Sequence, residues 1–153
     1  MKAIGYTAPG DISRADALED IDLPRPEARG RDILVAVEAV SVNPVDTKIR
    51  RSAAPAEGEH KVLGWDAVGR VVEVGEAVTA FKPGDAVFYA GSITRPGANS
   101  EFHLVDERIV GPKPASVSNA EAAALPLTAL TAWEMLFDRL DIRKPVPGAA
   151  NAV

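Results

Sequence analysis

Cysteine is absent from this chain of 153 residues, and histidine occurs only twice. Without cysteine the chain has no disulfides and no thiolate ligands for zinc. The two histidines are isolated from each other: His60 stands in a polar loop, and His103 is predicted to face solvent from a strand. The sequence therefore gives no support for Ser-His-Asp or Cys-His nucleophilic catalysis.

The chain also lacks any run of about 18 apolar residues, the length that a membrane-crossing helix needs. Residues 1–11 have no apolar core of the kind found in secretory signals and predict a first strand instead. The net charge is −5 and the basic residues are not gathered into a stripe, which disfavours nucleic-acid binding. We therefore predict a cytoplasmic protein with no membrane and no nucleic-acid partner.

A dinucleotide-binding fingerprint is missing as well. Such a site needs a strand, a Gly-x-Gly-x-x-Gly turn and a helix N-terminus that receives the pyrophosphate. No glycine pattern of this kind occurs in the chain. A complete nucleotide site is therefore not predicted within these residues.

The chain does contain a β-rich centre. The stretch Val62–Phe88 predicts two strands joined by a shorter segment, with a tight turn at Lys82–Asp85 because proline fixes φ and glycine tolerates positive φ. The run Ile33–Val42 is apolar, free of glycine and proline, and predicts the longest strand. Further strands are predicted at Ala86–Tyr89 and Glu107–Val110. We predict a mainly β fold with short helices, built on a bent sheet or barrel.

Helical signals lie near the C-terminal end of the chain. Ser118 or Asn119 is a good N-cap for a short helix that we expect Pro126 to end or kink. Thr128 then predicts the start of a second helix, whose apolar residues recur at helical spacing and are expected to form a stripe. The stripe consists of Leu130, Trp133, Phe137 and Leu140, and its tryptophan is expected in the core.

The glycine pattern of the central stretch resembles the signature of a known family. It runs Gly64-Trp65-Asp66-x-x-Gly69-x-Val71, then Gly75, Val78 and Pro83-Gly84-Asp85-x-Val87. This resembles the N-terminal GroES-like domain of the medium-chain dehydrogenase/reductase superfamily, and Ala122–Glu134 resembles the segment that joins it to the nucleotide-binding domain. The resemblance implies a partly open β-barrel, with a C-terminal helix leading toward a Rossmann domain that the sequence lacks.

The resemblance also implies a division of the chain. Residues 1–126 correspond to the substrate-binding (catalytic) domain. Residues 127–153 correspond to the connecting helix and the start of a truncated nucleotide-binding domain. We therefore expect the chain to be the N-terminal part of a longer enzyme.

The three positions at which zinc-dependent relatives carry metal ligands are occupied differently here. They correspond to Asn43, Trp65 and Leu127, where those relatives have cysteine, histidine and cysteine. A catalytic zinc needs three protein ligands with an open fourth position, and none of these three side chains matches. We predict no metal, and the resemblance then points to the zinc-free branch of quinone oxidoreductases and enoyl reductases.

Five residues are candidates for the site, each with a structural alternative. Asn43 is predicted to lie near the nicotinamide as a catalytic and cofactor-binding residue, or simply to begin an Asn-Pro turn. Asp46 is predicted to orient this corner, with structural support as its expected role. Thr131 is predicted beside the nicotinamide or as a helix-surface hydroxyl. Trp65 and Tyr89 are predicted to line a substrate pocket or to pack in the core.

The predicted function is the substrate-binding part of a zinc-independent, NADPH-dependent oxidoreductase. Its substrate would be a small quinone or enone reduced by hydride transfer, with the cofactor bound mainly by the missing domain and the chain inactive alone. One alternative is the domain of a zinc-containing alcohol dehydrogenase that holds its metal near Asp46 and Asp66. Another is a non-enzymatic GroES-like binding module, which the polar loop Ser52–Lys61 disfavours.

Overall fold

The structure is a computed structural model that describes residues 1–140 and 142. Within these residues it is mostly β, with short helices. The strands are β1 (Lys2–Tyr6), β2 (Glu19–Asp22), β3 (Asp32–Ser41), β4 (Lys61–Val62), β5 (Asp66–Val74), β6 (Ala86–Ala90), β7 (Phe102–Asp106) and β8 (Val110–Pro112). The α-helices are α1 (Pro44–Ser52), α2 (Asn119–Ala123) and α3 (Pro126–Trp133), with a 3-10 helix at Glu107–Ile109 and a π-helical segment at Glu134–Arg139.

The strands form two antiparallel sheets. The larger has the order β7-β3-β5-β6-β8 and the smaller the order β2-β1-β4. The larger sheet is open, with β7 and β8 as its edge strands. A bridge between Ala3 and Ser100 joins the smaller sheet to the segment before β7. This architecture confirms the predicted mainly β, GroES-like fold.

The larger sheet is covered on both faces near its centre. The main core lies on one face and is centred on β3, β5 and β6, from which Val35, Val71 and Val87 are buried. On the other face Val68 packs against α2. Along β6 the buried residues Val87 and Tyr89 alternate with half-buried ones, as expected for a strand with one face in the core. The C-terminal end of β3, at Ser41, pairs with the first residue of β5, Asp66.

The predicted strand at Glu107–Val110 is wrong in its first part. Residues 107–109 form a 3-10 turn that is capped by Asp106, whose carboxylate accepts a hydrogen bond from Arg108 N. The buried Glu107 carboxylate accepts from the backbone N–H groups of Thr79 and Ala80, at 2.9 and 2.8 Å. These side-chain bonds turn the chain, and β8 begins only at Val110.

The short helix α2 ends before Pro126, as predicted, and the proline has a second role that was not predicted. It is the first residue of α3, where a missing N–H has no intrahelical partner to lose. The Thr128 hydroxyl donates back to the carbonyls of Ala124 and Leu125 instead of capping a helix. The second helix therefore begins two residues earlier than predicted.

The apolar stripe does not face the core of the described residues. Leu130, Trp133 and Leu140 are 51%, 57% and 58% exposed. The buried side of α3 is Pro126, at the end nearest β5 and β6, so the rest of the helix runs outward. The predicted linker and nucleotide-binding start at 143–153 lie outside the described residues. None of the described helices is both long and apolar enough to cross a membrane.

Candidate active-site corner

Asp66 is the centre at which three distant segments of the chain meet. It is the first residue of β5 and is only 1% exposed. Its Oδ2 accepts hydrogen bonds from Asn43 Nδ2 at 2.9 Å and Ser41 Oγ at 3.3 Å. Its Oδ1 accepts from the backbone N–H of Leu127 at 3.0 Å. The carboxylate thus ties the end of β3 and the start of α3 to β5.

The electrostatics of Asp66 follow from this environment. Burial raises the pKa of the Asp66 carboxyl, and the nearby negative charge of Asp46 acts in the same direction. The hydrogen bonds from Asn43, Leu127 and Ser41 oppose this change because they favour the charged form. The carboxylate is therefore held by three neutral donors.

Asp46 supports the same corner from the first turn of α1. It is the third residue of α1, and its Oδ2 accepts from Asn43 N at 2.8 Å. Its Oδ1 accepts from Gly64 N at 2.8 Å. Gly64 has φ +90°, a conformation that favours glycine. Asp46 is itself buried, and its contacts favour the structural-support role. It holds the backbone of Asn43 and the backbone of Gly64 at a fixed separation.

Asn43 begins α1 with its backbone and reaches Asp66 with its side chain. It precedes the proline that opens α1, and its carbonyl accepts the Asp46 N–H at 3.0 Å, as an Asn-Pro helix start requires. Its side chain is half-buried and bends back to Asp66 and to Ser41 Oγ, at 2.9 and 3.3 Å. The amide is therefore fixed by the corner and remains partly accessible.

The side chain of Trp65 packs in a different part of the structure from that of its neighbour Asp66. It is 4% exposed and packs with Tyr6 and Leu63, against Val45 and Ile49 of α1. Asn43 and Leu127 thus share the Asp66 carboxylate, while the indole fills a separate cluster in the core. This position favours the core alternative for Trp65, and a contact with substrate stays a prediction.

Tyr89 is paired with His103 inside the larger sheet. The Tyr89 hydroxyl lies 2.9 Å from His103 Nδ1, and His103 Nε2 lies 2.9 Å from the carbonyl of Pro96. A carbonyl only accepts, so Nε2 donates and Nδ1 accepts from Tyr89. Burial lowers the pKa of His103 to about 4 and raises the pKa of Tyr89. The imidazole is therefore neutral with one defined tautomer.

The prediction that His103 faces solvent is wrong. It is 4% exposed, and Val105 on the same face of β7 is also buried, whereas Phe102 and Leu104 are half-buried. Half-buried and buried residues alternate along β7, and His103 falls on the buried side. Pairing with β3 places Val105 opposite the core residue Ile33, which decides the phase.

The other two candidates lie around α3. Tyr89 is at the wall of an apolar groove of about 650 Å³ between α3 and strands β6 and β8, which Leu130 and Trp133 also line. The Thr131 hydroxyl is exposed and donates to the carbonyl of Leu127 at 2.8 Å. That bond favours the helix-surface alternative for Thr131, and a contact with nicotinamide stays a prediction.

The residues of this corner do not fit a zinc site. Leu127 contributes its backbone N–H to Asp66, and the indole of Trp65 has no lone pair for a metal. The oxygens of Asp46 and Asp66 are already used by hydrogen-bond donors. Among residues 1–140 and 142, no group of three or more His, Cys, Asp or Glu side chains is placed to hold a metal.

Asp66 and Ser41 were missed as site residues in the sequence. One signal was present: Asp66 stands at the head of an apolar run, where a carboxylate must reach either water or several donors. The identity of those donors depends on three segments that are remote in sequence.

Comparison with known proteins places the chain in a family. Residues 29–115 match the alcohol dehydrogenase GroES-like domain family. A zinc-type alcohol dehydrogenase-like protein of Staphylococcus epidermidis is 42% identical over 94% of this chain and 42% of its own length. A chloroplastic quinone-oxidoreductase homolog of Spinacia oleracea is 35% identical over 94% of the chain and 44% of its own length.

Solved structures show the same relationship. A crystal structure from Rhizobium etli CFN 42, provisionally named a zinc-dependent alcohol dehydrogenase, is 64% identical with a TM-score of 0.91, over 98% of this chain and 44% of that one. The Escherichia coli quinone oxidoreductase complexed with NADPH is 29% identical with a TM-score of 0.80, over 95% and 43%. The chain thus spans less than half the length of these relatives. It belongs to the alcohol dehydrogenase GroES-like domain family of the medium-chain dehydrogenase/reductase superfamily.

Proposed function

We propose that this chain is the substrate-binding domain of a zinc-independent, NADPH-dependent oxidoreductase that reduces a small quinone or enone. The observation that carries the proposal is the Asp66 carboxylate, which holds Asn43 and Leu127 where zinc-dependent relatives place metal ligands. A network of neutral donors thus occupies the place of a metal site. The likeness to quinone oxidoreductases, one of them solved with NADPH, supports the same assignment.

The chemistry of such an enzyme is divided between cofactor and protein. The bound cofactor supplies the hydride. Asn43 offers its side-chain amide near the nicotinamide. Asp66 accepts from that amide, and Asp46 accepts from the backbone N–H of Asn43. Thr131 and Tyr89 belong to the cleft walls. Binding and orientation are the contribution of this domain, since no complete dinucleotide site is encoded within it.

NADPH is therefore expected to bind the 153-residue chain only weakly. Titration of NADPH followed by calorimetry is expected to show no saturation in the micromolar range, because the pyrophosphate has no glycine-rich turn to occupy. The longer parent enzyme, titrated in parallel, is expected to saturate in that range. A micromolar dissociation constant for the 153-residue chain would contradict the proposed division of the site.

Zinc is expected at well below one equivalent per chain. This prediction separates the proposal from a zinc-containing alcohol dehydrogenase, the candidate that the names of the Staphylococcus and Rhizobium relatives favour. Elemental analysis of the parent purified with added zinc measures the stoichiometry, and activity after chelator treatment is the control. One bound zinc per chain, with activity lost to the chelator and restored by zinc, would favour the alternative.

A further inference from the structure

Helix α3 is joined to the rest of the domain at one end only. Pro126 is buried, but every residue from Thr128 to Trp133 is exposed. The hydroxyls of Thr128 and Thr131 bond to carbonyls of the same segment of chain, at residues 124, 125 and 127. A groove of about 650 Å³ lies between the helix and strands β6 and β8. The helix thus projects from the domain as an arm.

Helix α2, which precedes this arm, is fixed on the larger sheet. Ala122 and Ala123 are fully buried and pack against Val68 of β5. Asn119 Nδ2 donates to Glu38 Oε2 of β3 at 2.6 Å. The arm therefore leaves from a rigid base.

The start of the arm has a single polar link to the sheet. Pro126 has no N–H. The N–H of Leu127 lies in the first turn of α3, where it has no intrahelical partner, and it donates to Asp66 Oδ1 at 3.0 Å. Among residues 1–140 and 142, this is the only hydrogen bond between residues 126–140 and a strand.

The acceptor of this bond is held rigidly. Asp66 is 1% exposed and pairs with Ser41 of β3 and Ala90 of β6. Its other carboxylate oxygen accepts from Asn43 Nδ2 and from the Ser41 hydroxyl. A carboxylate anchored between two strands does not follow a moving helix, so the arm is held to a fixed point beside its first turn.

We propose that the hydrogen bond between Leu127 and Asp66 is a latch that sets the direction of α3, and that the helix pivots on Pro126 when this bond is lost. Asp66 is thus a positioning residue for the arm. At about 1.5 Å per residue the arm, residues 126–139, is about 20 Å long, so a rotation of about 20° at Pro126 moves its far end by about 7 Å. The inference is independent of the proposed function.

The latch links two parts of the molecule through one carboxylate. Asp66 holds the Asn43 amide with one oxygen and the first turn of α3 with the other. The chain spans 44% of the Rhizobium etli structure. In a parent of that length, the segment that continues from α3 leaves the domain in the direction that the latch sets.

The test measures the distance between the arm and the sheet in the 153-residue chain. Because the chain has no cysteine, spin labels can be attached selectively at Asp138→Cys on the arm and at Lys82→Cys in the turn before β6, both exposed positions. Double electron–electron resonance gives the distribution of label distances. An intact latch is expected to give one narrow distribution, and Asp66→Ala is expected to shift or broaden it by about 7 Å.

Two further variants separate the latch from a general loss of stability. An ester oxygen in place of the Leu127 N–H, introduced with the hydroxy-acid analogue of leucine, removes the latch alone and is expected to reproduce the Asp66→Ala distribution. It also decides the test if Asp66→Ala fails to fold. Asp46→Ala removes a buried carboxylate of the same corner that bonds to Asn43 and Gly64, and it is expected to leave the distribution unchanged.

Three results would overturn the inference. They are a broad distribution with the latch intact, an unchanged narrow distribution in the ester variant, and a change in Asp46→Ala as large as that in Asp66→Ala. Because the measurement uses neither cofactor nor substrate, the proposed function stands or fails separately.

Discussion

Replacement of Asp66 by alanine is expected to lower the unfolding free energy of the chain by about 3 kcal/mol, because it deprives three donors of a shared acceptor. The Leu127 N–H and the amide of Asn43 are left without the carboxylate, and the site is only 1% exposed, so water replaces it poorly. For a chain of this size the loss corresponds to roughly 6–12 °C in Tm. Thermal unfolding followed by circular dichroism measures it.

Two matched variants separate lost hydrogen bonds from lost charge. Asp66→Asn keeps one acceptor and is expected to lose less than half as much stability as Asp66→Ala. Asp22→Asn removes an exposed acid that pairs with Lys2 and is expected to change Tm little, since surface ion pairs contribute little. The role given to Asp66 is wrong if Asp66→Ala unfolds at the same temperature as the surface variant.

A fall in stability between pH 6.5 and pH 4 is the second large expected effect, and its source is His103. Burial lowers the pKa of His103 to about 4 in the folded chain, against about 6.5 in the unfolded chain. As the pH falls through this window the unfolded state takes up the proton first, so stability is complete above pH 6.5 and is lost toward pH 4. The difference amounts to ~3 kcal/mol.

The measurement is urea unfolding at several pH values for wild type and His103→Gln. Glutamine can donate to Pro96 and accept from Tyr89 but does not titrate in this range. Carboxylates contribute equally to both proteins, so the difference between the two profiles isolates the histidine. Parallel profiles would show that the imidazole is not held neutral inside the sheet.

Much of the sheet was predictable because its strands carry strong local signals. The run Ile33–Val42 differs from β3 by one residue at each end, and β6 begins at Ala86 as predicted. The wrong predictions share one cause. Contacts with residues distant in the sequence decided between conformations that the local sequence allows. His103 turned inward because β7 pairs with a buried strand, and residues 107–109 turned because a carboxylate found two N–H groups across the fold.

The interactions of the candidate site were not predictable from its motifs. Asn43 and Leu127 share the Asp66 carboxylate, and nothing local to either residue names Asp66 as their common partner. Spacing along the chain carries no information about which oxygen meets which N–H. For Trp65 and Thr131 the motif likewise does not tell where the side chain points. The Trp65 indole lies in the core, and the Thr131 hydroxyl bonds to its own helix at the surface.

The packing of Trp65 makes a histidine at this position costly for the fold. An imidazole in its place would leave a cavity beside Tyr6 and Leu63, where the helix α1 now rests on the indole. A metal centre at this corner would therefore need that contact rebuilt, together with new side chains at Asn43 and Leu127. The single change Trp65→His is expected to lower stability without creating such a centre.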